Sequence, residues 1–234
     1  MTEENSAQYV AYTLYRVDPV WRRLPVEERA AGKEAFAEVI SDWAGRMEVR
    51  SYSLVGVRPD ADFMLWKVTE RYEDLRELAA DLNATLLAGY VTTPYSYLAA
   101  TKPSQYFERE SARPRRVAPR GAPYLVVYPF VKKREWYALP MDDRRRAMQE
   151  HAAVGSRFVT ITNHTTYSFG IDDQEFMTAF ECEEPSDFLQ LMKTLRETEA
   201  SRYTERDTPI FVGTALEIRE ILDSLDGASA RVTS

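Results

Sequence analysis

The 234-residue sequence has one cysteine, Cys182, and only two histidines, His151 and His164. A single thiol closes no intramolecular disulfide and builds no cysteine-rich metal site. Basic residues are in the minority: 30 Lys and Arg stand against 37 Asp and Glu, a formal charge of −7. A surface made for nucleic acid or anionic lipid needs the opposite balance, because phosphates are met by excess Lys and Arg. No stretch reaches the roughly 20 apolar residues of a membrane span. The opening "MTEENSAQYVAY" has neither the basic head nor the apolar core of a secretory signal. These absences lead to the expectation of a cytoplasmic protein with no nucleic-acid partner. What is present is material for a core, since 44% of residues are hydrophobic. The length fits one large domain or two of ordinary size.

The chain also repeats itself. "VAYTLYRVDPVWRRLPVEERAAGKEAFAEV" (10–39) aligns with "VVYPFVKKREWYALPMDDRRRAMQEHAAV" (126–154), matching Tyr12 with Tyr128, Trp21 with Trp136 and Arg29 with Arg144. The offset is 116 at the tyrosines and 115 from the tryptophans onward, so a one-residue slip is expected between them. Phe63-Met64 falls on Phe176-Met177, and "TTPYSYL" (92–98) on "DTPIFVG" (207–213). Each copy reads strand, helix, strand, strand, helix, strand. Runs such as "YLVVYPFV" (124–131), "FVTITNHTTYSFG" (158–170) and "EFMTAFEC" (175–182) carry the β-branched and aromatic residues of strands. The first helix of each copy opens after Pro25 or Pro140 with acidic residues in its first turn. Second helices are expected over 72–86 and 185–203. This order predicts an α+β fold of two tandem ferredoxin-like (βαββαβ) repeats forming a dimeric-type α+β barrel. The expected boundaries are 1–101 for a structural N-terminal repeat, 102–122 for a Pro- and Arg-rich linker, and 123–234 for a C-terminal repeat that carries the chemistry.

One position separates the copies. "MQEHAAV" (148–154) lies in the first helix of copy two, with Ala147, Met148, His151 and Val154 on one apolar face. An offset of 115 puts His151 on Phe36, which shares its face with Val39, Ile40 and Trp43. A histidine among apolar neighbours is ordinarily a packed, hydrogen-bonded side chain. Copy one meets the packing need with phenylalanine, so packing alone does not call for an imidazole. A ligand role follows. No second His or Cys stands at the spacing zinc requires, whereas a lone helical histidine in apolar surroundings suits an axial haem ligand.

"YPFVKKREWY", "LPMDDRRRAMQEH", "TTYSFGIDDQEF" and "RETEASRY" together resemble the C-terminal half of the chlorite dismutase-like haem proteins, and within them the coproheme decarboxylase branch. The resemblance spans nearly the whole chain. It implies paired ferredoxin-like domains, assembled as a homopentamer, with His151 as the proximal iron ligand. It implies Tyr128 as the catalytic residue, with Lys132 beside it. The implied activity is peroxide-dependent oxidative decarboxylation of Fe-coproporphyrin III (coproheme) to haem b through a three-propionate intermediate, in haem biosynthesis. Coproheme is then both substrate and redox centre, hydrogen peroxide the oxidant, and the ferrochelatase of the same pathway a transient partner. Ser201 and the linker residues Arg113 and Arg115 are candidate propionate contacts, and Trp136 a candidate lining of the porphyrin edge. Lys132 follows Tyr128 and Phe130 on one strand face at period two. There its ammonium would hold a carboxylate or assist proton transfer.

Each residue also has a plainer reading. Tyr128 would be a buried strand tyrosine like Tyr12, Lys132 a solvated lysine matching Arg16, and Trp136 a packing residue like Trp21. Linker arginines are ordinarily solvated. The rival activity within the family, chlorite dismutation, is expected to rely on a distal arginine in the strand before "GIDD". Asn163 and His164 stand there instead, as distal-pocket candidates, and a neutral His164 would suit deprotonation of peroxide. Two further alternatives are a haem protein of this family with peroxidase or other activity and a haem-binding module with no enzymatic role. The latter needs the histidine but not the tyrosine and lysine.

Overall fold

The structure is a computed structural model that describes residues 7–106 and 116–226; Arg113 and Arg115 lie outside the described residues. Copy one runs β1 (Tyr9–Val17), α1 (Val26–Trp43), β2 (Glu48–Ser53), β3 (Phe63–Thr69), α2 (Tyr72–Asn83) and β4 (Val91–Ala100). Copy two runs β5 (Tyr124–Lys132), a short α3 (Arg134–Ala138), α4 (Met141–Gly155), β6 (Ile161–Asn163), β7 (Thr166–Tyr167) and β8 (Phe176–Cys182). It continues with α5 (Pro185–Leu195), β9 (Thr204–Arg206) and β10 (Phe211–Ala215), and α6 (Ile218–Ser224) follows. The fold is α+β with two ferredoxin-like repeats, as the duplication implies. One helix is shorter than its pattern: α5 stops at Leu195, and a 3-10 turn takes over at Glu199–Tyr203. Hydroxyls end it. Thr198 Oγ1 donates to Leu195 O at 2.7 Å, and Ser201 Oγ to Arg196 O at 2.7 Å, a side-chain competition that favours turns over helix.

The chain folds as two compact units, one of Leu98–Val212 and one of Gln8–Tyr97 with the segment from Gly213 onward. The last segment thus packs with copy one, unlike the repeat boundary drawn at 123–234. The reason is α6. Its Ile218, Ile221 and Leu222 join Phe36 and Ile40 of α1 in one core, and the buried Lys33 Nζ reaches Asp223 at 2.7 Å and Asp226 at 2.9 Å. Full burial of an aliphatic side chain is worth about 1.5–3 kcal/mol, so three of them hold a seven-residue helix firmly.

Strand register corrects one part of the repeat alignment. In the N-terminal unit β1 pairs antiparallel with β3, setting Thr13 opposite Leu65 and Tyr15 opposite Phe63. In the C-terminal unit β5 pairs with β8, setting Tyr128 opposite Thr178 and Phe130 opposite Phe176. Phe63 and Phe176 are the matched phenylalanines, so register equates Tyr128 with Thr13, not with Tyr12. A one-residue shift exchanges the two faces of a strand. Tyr12 lies on the face away from α1, stacked on Trp66 at 5.9 Å, whereas Tyr15 and Val17 pack toward α1. By the same register Lys132 matches Val17 rather than Arg16. There is no slip between the strand and the tryptophan.

Candidate functional site

The site grows from a layer that copy one fills and copy two does not. In the N-terminal unit Phe36 is edge-on to Phe63 at 6.0 Å and to Tyr15 at 6.3 Å, and Ile40 and Trp43 close the layer. The equivalent positions on and just beyond α4 hold His151, Gly155 and Phe158. α4 fully buries only Ala147. Half-buried Val154 and Phe158 pack against the sheet beside Tyr128, and a Cβ placed on Gly155 would meet nothing within 4 Å. A helix face with an imidazole and a glycine where its twin has phenylalanine and isoleucine leaves the layer short of side-chain volume.

Four groups sit on the helix-facing side of this unit. Tyr128 is 4% exposed, stacked on Phe180 at 6.1 Å, with its hydroxyl 3.7 Å from Met192 Sδ. Burial pushes its phenol up to about 12, so it is a neutral phenol at any ordinary pH. Lys132, two positions beyond Phe130 on the same face, is 7% exposed. Its Nζ donates to Ala200 O at 2.8 Å and lies 4.3 Å from the ring centre of Trp136. Burial pushes its ammonium down to about 8, with Glu175 acting the other way. Trp136 is fully buried and donates its Nε1–H to Tyr106 Oη at 3.0 Å, so it packs as its twin Trp21 does while also facing the lysine.

His151 is half-buried on α4, with Nδ1 3.3 Å from Thr198 Oγ1. Burial first, and then the nearby Lys132 ammonium, lower its pKa to about 4, with Glu150 acting the other way. The ring is therefore neutral at pH 7, which is the ligating form. Among the described residues no three His, Cys, Asp or Glu side chains converge on a metal position. A single neutral imidazole beside an underfilled apolar layer fits a metal whose other ligands come with it, as in an iron porphyrin.

The remaining sequence candidates fall into place around these. Ser201 Oγ is engaged with the Arg196 and Thr198 carbonyls, 2.7 and 2.8 Å away, closing the turn that carries Ala200. Asn163 pairs opposite Phe180, so it shares the sheet face of Tyr128. His164, the next residue, points to the opposite face, where its Nε2 lies 2.7 Å from Glu181 Oε2. Burial opposes ionisation of Glu181, but the His164 contact and the Arg120 and Gly121 backbone N–H groups hold it below the usual carboxylate range. Two participants carried no clear sequence signal. Thr198 touches His151, and Glu175 accepts from both the Lys132 backbone N–H at 2.8 Å and Tyr137 Oη at 2.6 Å. Glu175 stands in "IDDQEF", a motif already singled out; Thr198 lies in a stretch that reads as continuous helix.

A family model described as chlorite dismutase matches residues 29–216. A coproheme decarboxylase from Mycolicibacterium smegmatis is 33% identical over 176 residues, 74% of this chain and 75% of the relative. A variant chlorite dismutase from Candidatus Nitrospira defluvii superimposes with a TM-score of 0.86 at 27% identity, over 96% of this chain and 97% of that one. A heme-binding protein from Thermus thermophilus superimposes with a TM-score of 0.82 at 24% identity, over 95% of this chain and 96% of that one, a likeness that bears on the fold alone. Among the described residues no helix is long and apolar enough to cross a membrane.

Proposed function

The chain belongs to the chlorite dismutase family, and on that premise we propose that it decarboxylates coproheme to haem b at the expense of hydrogen peroxide. One observation carries the reading. Tyr128 and Lys132 on β5 and His151 on α4 stand where the N-terminal copy has Thr13 and Val17 on β1 and Phe36 on α1. A module that only binds haem needs the histidine; the phenol and the buried ammonium are the additions that chemistry requires.

The bound iron porphyrin supplies one-electron oxidising power once peroxide is present. The rest is the work of this chain. His151 would hold the iron through a ring nitrogen, and the half-buried Val154, Phe158 and Met148 would give the porphyrin apolar contact. Tyr128 supplies a phenol that, oxidised with loss of its proton, removes a hydrogen atom from the propionate carbon next to the macrocycle. Loss of carbon dioxide and a second electron then leaves a vinyl group. Per propionate, one peroxide and one proton are consumed, and one carbon dioxide, one vinyl group and two waters result. Lys132 holds the carboxylate or returns a proton; a pKa near 8 keeps it mostly charged at pH 7 yet able to give the proton up. Homopentameric assembly and a place in haem biosynthesis go with this reading.

Incubating the apoprotein with coproheme, titrating hydrogen peroxide and following the porphyrin by mass tests it. Two successive losses of carbon dioxide with two hydrogen atoms' worth of oxidation are expected, through a three-propionate intermediate. Intact coproheme after excess peroxide would sink the proposal. The likeness to the Nitrospira enzyme favours chlorite dismutation as a second reading, but residues 158–170 contain no arginine. Sustained rapid oxygen evolution from chlorite by the loaded protein would favour that reading instead.

A further inference from the structure

Three consecutive residues after α5 each hold a different part of the site. Thr198 meets His151 at 3.3 Å, the Glu199 backbone N–H donates to Glu150 Oε2 at 3.0 Å, and Ala200 O accepts from Lys132 Nζ at 2.8 Å. The segment 198–200 is thus a strap tying α4 to the end of β5. Thr198 is 3% exposed, and its place in the strap has a chemical consequence. A threonine hydroxyl has one proton and two lone pairs. That proton goes to Leu195 O at 2.7 Å, the shorter and stronger of its two contacts. What Thr198 Oγ1 presents to His151 is then a lone pair. An unprotonated Nδ1 facing it would set two lone pairs against each other in a buried place, so Nδ1 must carry the hydrogen. Among the described residues His151 Nε2 has no hydrogen-bond partner.

We infer that Thr198 is a positioning residue that fixes His151 in the Nδ1–H tautomer, leaving the Nε2 lone pair aimed for an axial iron bond. The inference rests on the reading of His151 as the iron ligand, and it assigns the orienting partner to a hydroxyl rather than a carboxylate. A hydroxyl acceptor orients the ring without adding anionic character to it. An iron held by His151 would accordingly be bound less strongly than one whose histidine is backed by a carboxylate, and would be easier to reduce.

The first test needs no porphyrin. In apoprotein with 15N-labelled histidine at pH 7, long-range proton–nitrogen correlations assign the tautomer of His151. The Nδ1–H form is expected in the native protein and in Thr198→Ser, which keeps the hydroxyl. In Thr198→Val, which keeps the shape and removes the acceptor, the Nε2–H form preferred by imidazole in water should gain. An Nε2–H signal in the native protein, or a Thr198→Val spectrum unchanged from native, overturns the assignment. The second test uses loaded protein. Thr198→Val should bind ferric porphyrin about tenfold or more weakly and shift the iron–histidine stretch of the ferrous form, and Thr198→Ser should restore both. Identical affinity and stretch in all three proteins overturns the role. His151→Ala separates the two claims: if it leaves porphyrin binding intact, the ligand reading fails while the tautomer result stands by itself.

Discussion

In the N-terminal unit Tyr15, Phe36, Ile40, Trp43 and Phe63 are all buried, and together they seal the layer between sheet and first helix. At the same five positions the C-terminal unit has Phe130, His151, Gly155, Phe158 and Phe176, and every one is only half-buried. The backbone plan is the same, and the outcome differs because side-chain volume was removed from the helix. Unfilled space in a core costs stability at about 24 cal/mol per Å³. The C-terminal unit forgoes that packing, and under the proposed function a bound porphyrin would restore it: at a thousand times Kd the stabilisation would be about 4 kcal/mol. Under the proposed function, one copy would secure the fold and the other would be free to receive the porphyrin.

Exchanging the defining residue is the strongest way to break this contrast. His151→Phe should give the C-terminal layer its twin's side chain and abolish the histidine-ligated ferric spectrum. The reciprocal Phe36→His puts an imidazole into a sealed aromatic core. It should cost roughly 2–4 kcal/mol in denaturant unfolding, from lost packing and an unpaired polar group, and create no porphyrin site. A second porphyrin bound by Phe36→His would show that the histidine, not the underfilled layer, makes the receptor.

The next contrast is Tyr128 against Thr13. Tyr128→Phe keeps the ring stacked on Phe180 and removes the hydroxyl, so coproheme affinity should stay near native. The first decarboxylation should slow at least ~100-fold, about 2.7 kcal/mol of barrier, located in the chemical step. Lys132→Ala should be milder, slowing turnover about tenfold or stalling it at the three-propionate species. Near-native conversion by Tyr128→Phe would move the radical to Trp136 or Tyr137. A smaller effect is expected at Gly155. Gly155→Ile copies Ile40 into the open space; it should stabilise the apoprotein by about 0.5 kcal/mol through helix propensity alone and weaken porphyrin binding about tenfold. Unchanged affinity would show that the porphyrin does not use that space.

Much of this was legible in the residues. The duplication gave the element order, because hydrophobic periods and the Pro-led helix starts recur in both copies. His151 stood out by comparison with Phe36, a contrast that needs only a correct offset. Tyr128 and Lys132 are singled out by likeness alone, and letter identity gives them the wrong twins. Matching Tyr12 with Tyr128 follows letter identity, whereas the strand ladder counts residues, and one residue decides which face a side chain takes. Asn163 and His164 could not be told apart for the same reason. Thr198 was hidden because the stretch around it continues a helical pattern, and only the hydroxyl bonds at Thr198 and Ser201 reveal that the helix has ended.

The smallest expected effect is a flat pH profile, which sharpens the contrast between a buried ligand and an ordinary histidine. If His151 is the iron ligand, as proposed, iron and proton compete for the same lone pair, so porphyrin affinity falls with acidity only once the free protein binds that proton. An imidazole at its ordinary 6.5 would begin to lose the iron below neutrality, about tenfold per pH unit. Burial first, and then the Lys132 ammonium, hold His151 at about 4. Affinity for ferric porphyrin should therefore change little between pH 7 and 5 and drop only as pH approaches 4. Stability of the apoprotein has a related sign. The unfolded chain takes up the His151 proton between 6.5 and 4 while the folded chain does not, so this group lowers apoprotein stability as pH falls through that window. His151→Phe should remove that part of the slope. Lys132→Met takes away the neighbouring positive charge, so it should raise the pH at which affinity starts to fall. Equilibrium titrations of porphyrin at half-unit pH steps, on the native protein and Lys132→Met, read both effects. A tenfold loss already between pH 6.5 and 5.5 in the native protein would mean that His151 is solvated like any surface histidine, and the packed layer around it would have to be redrawn.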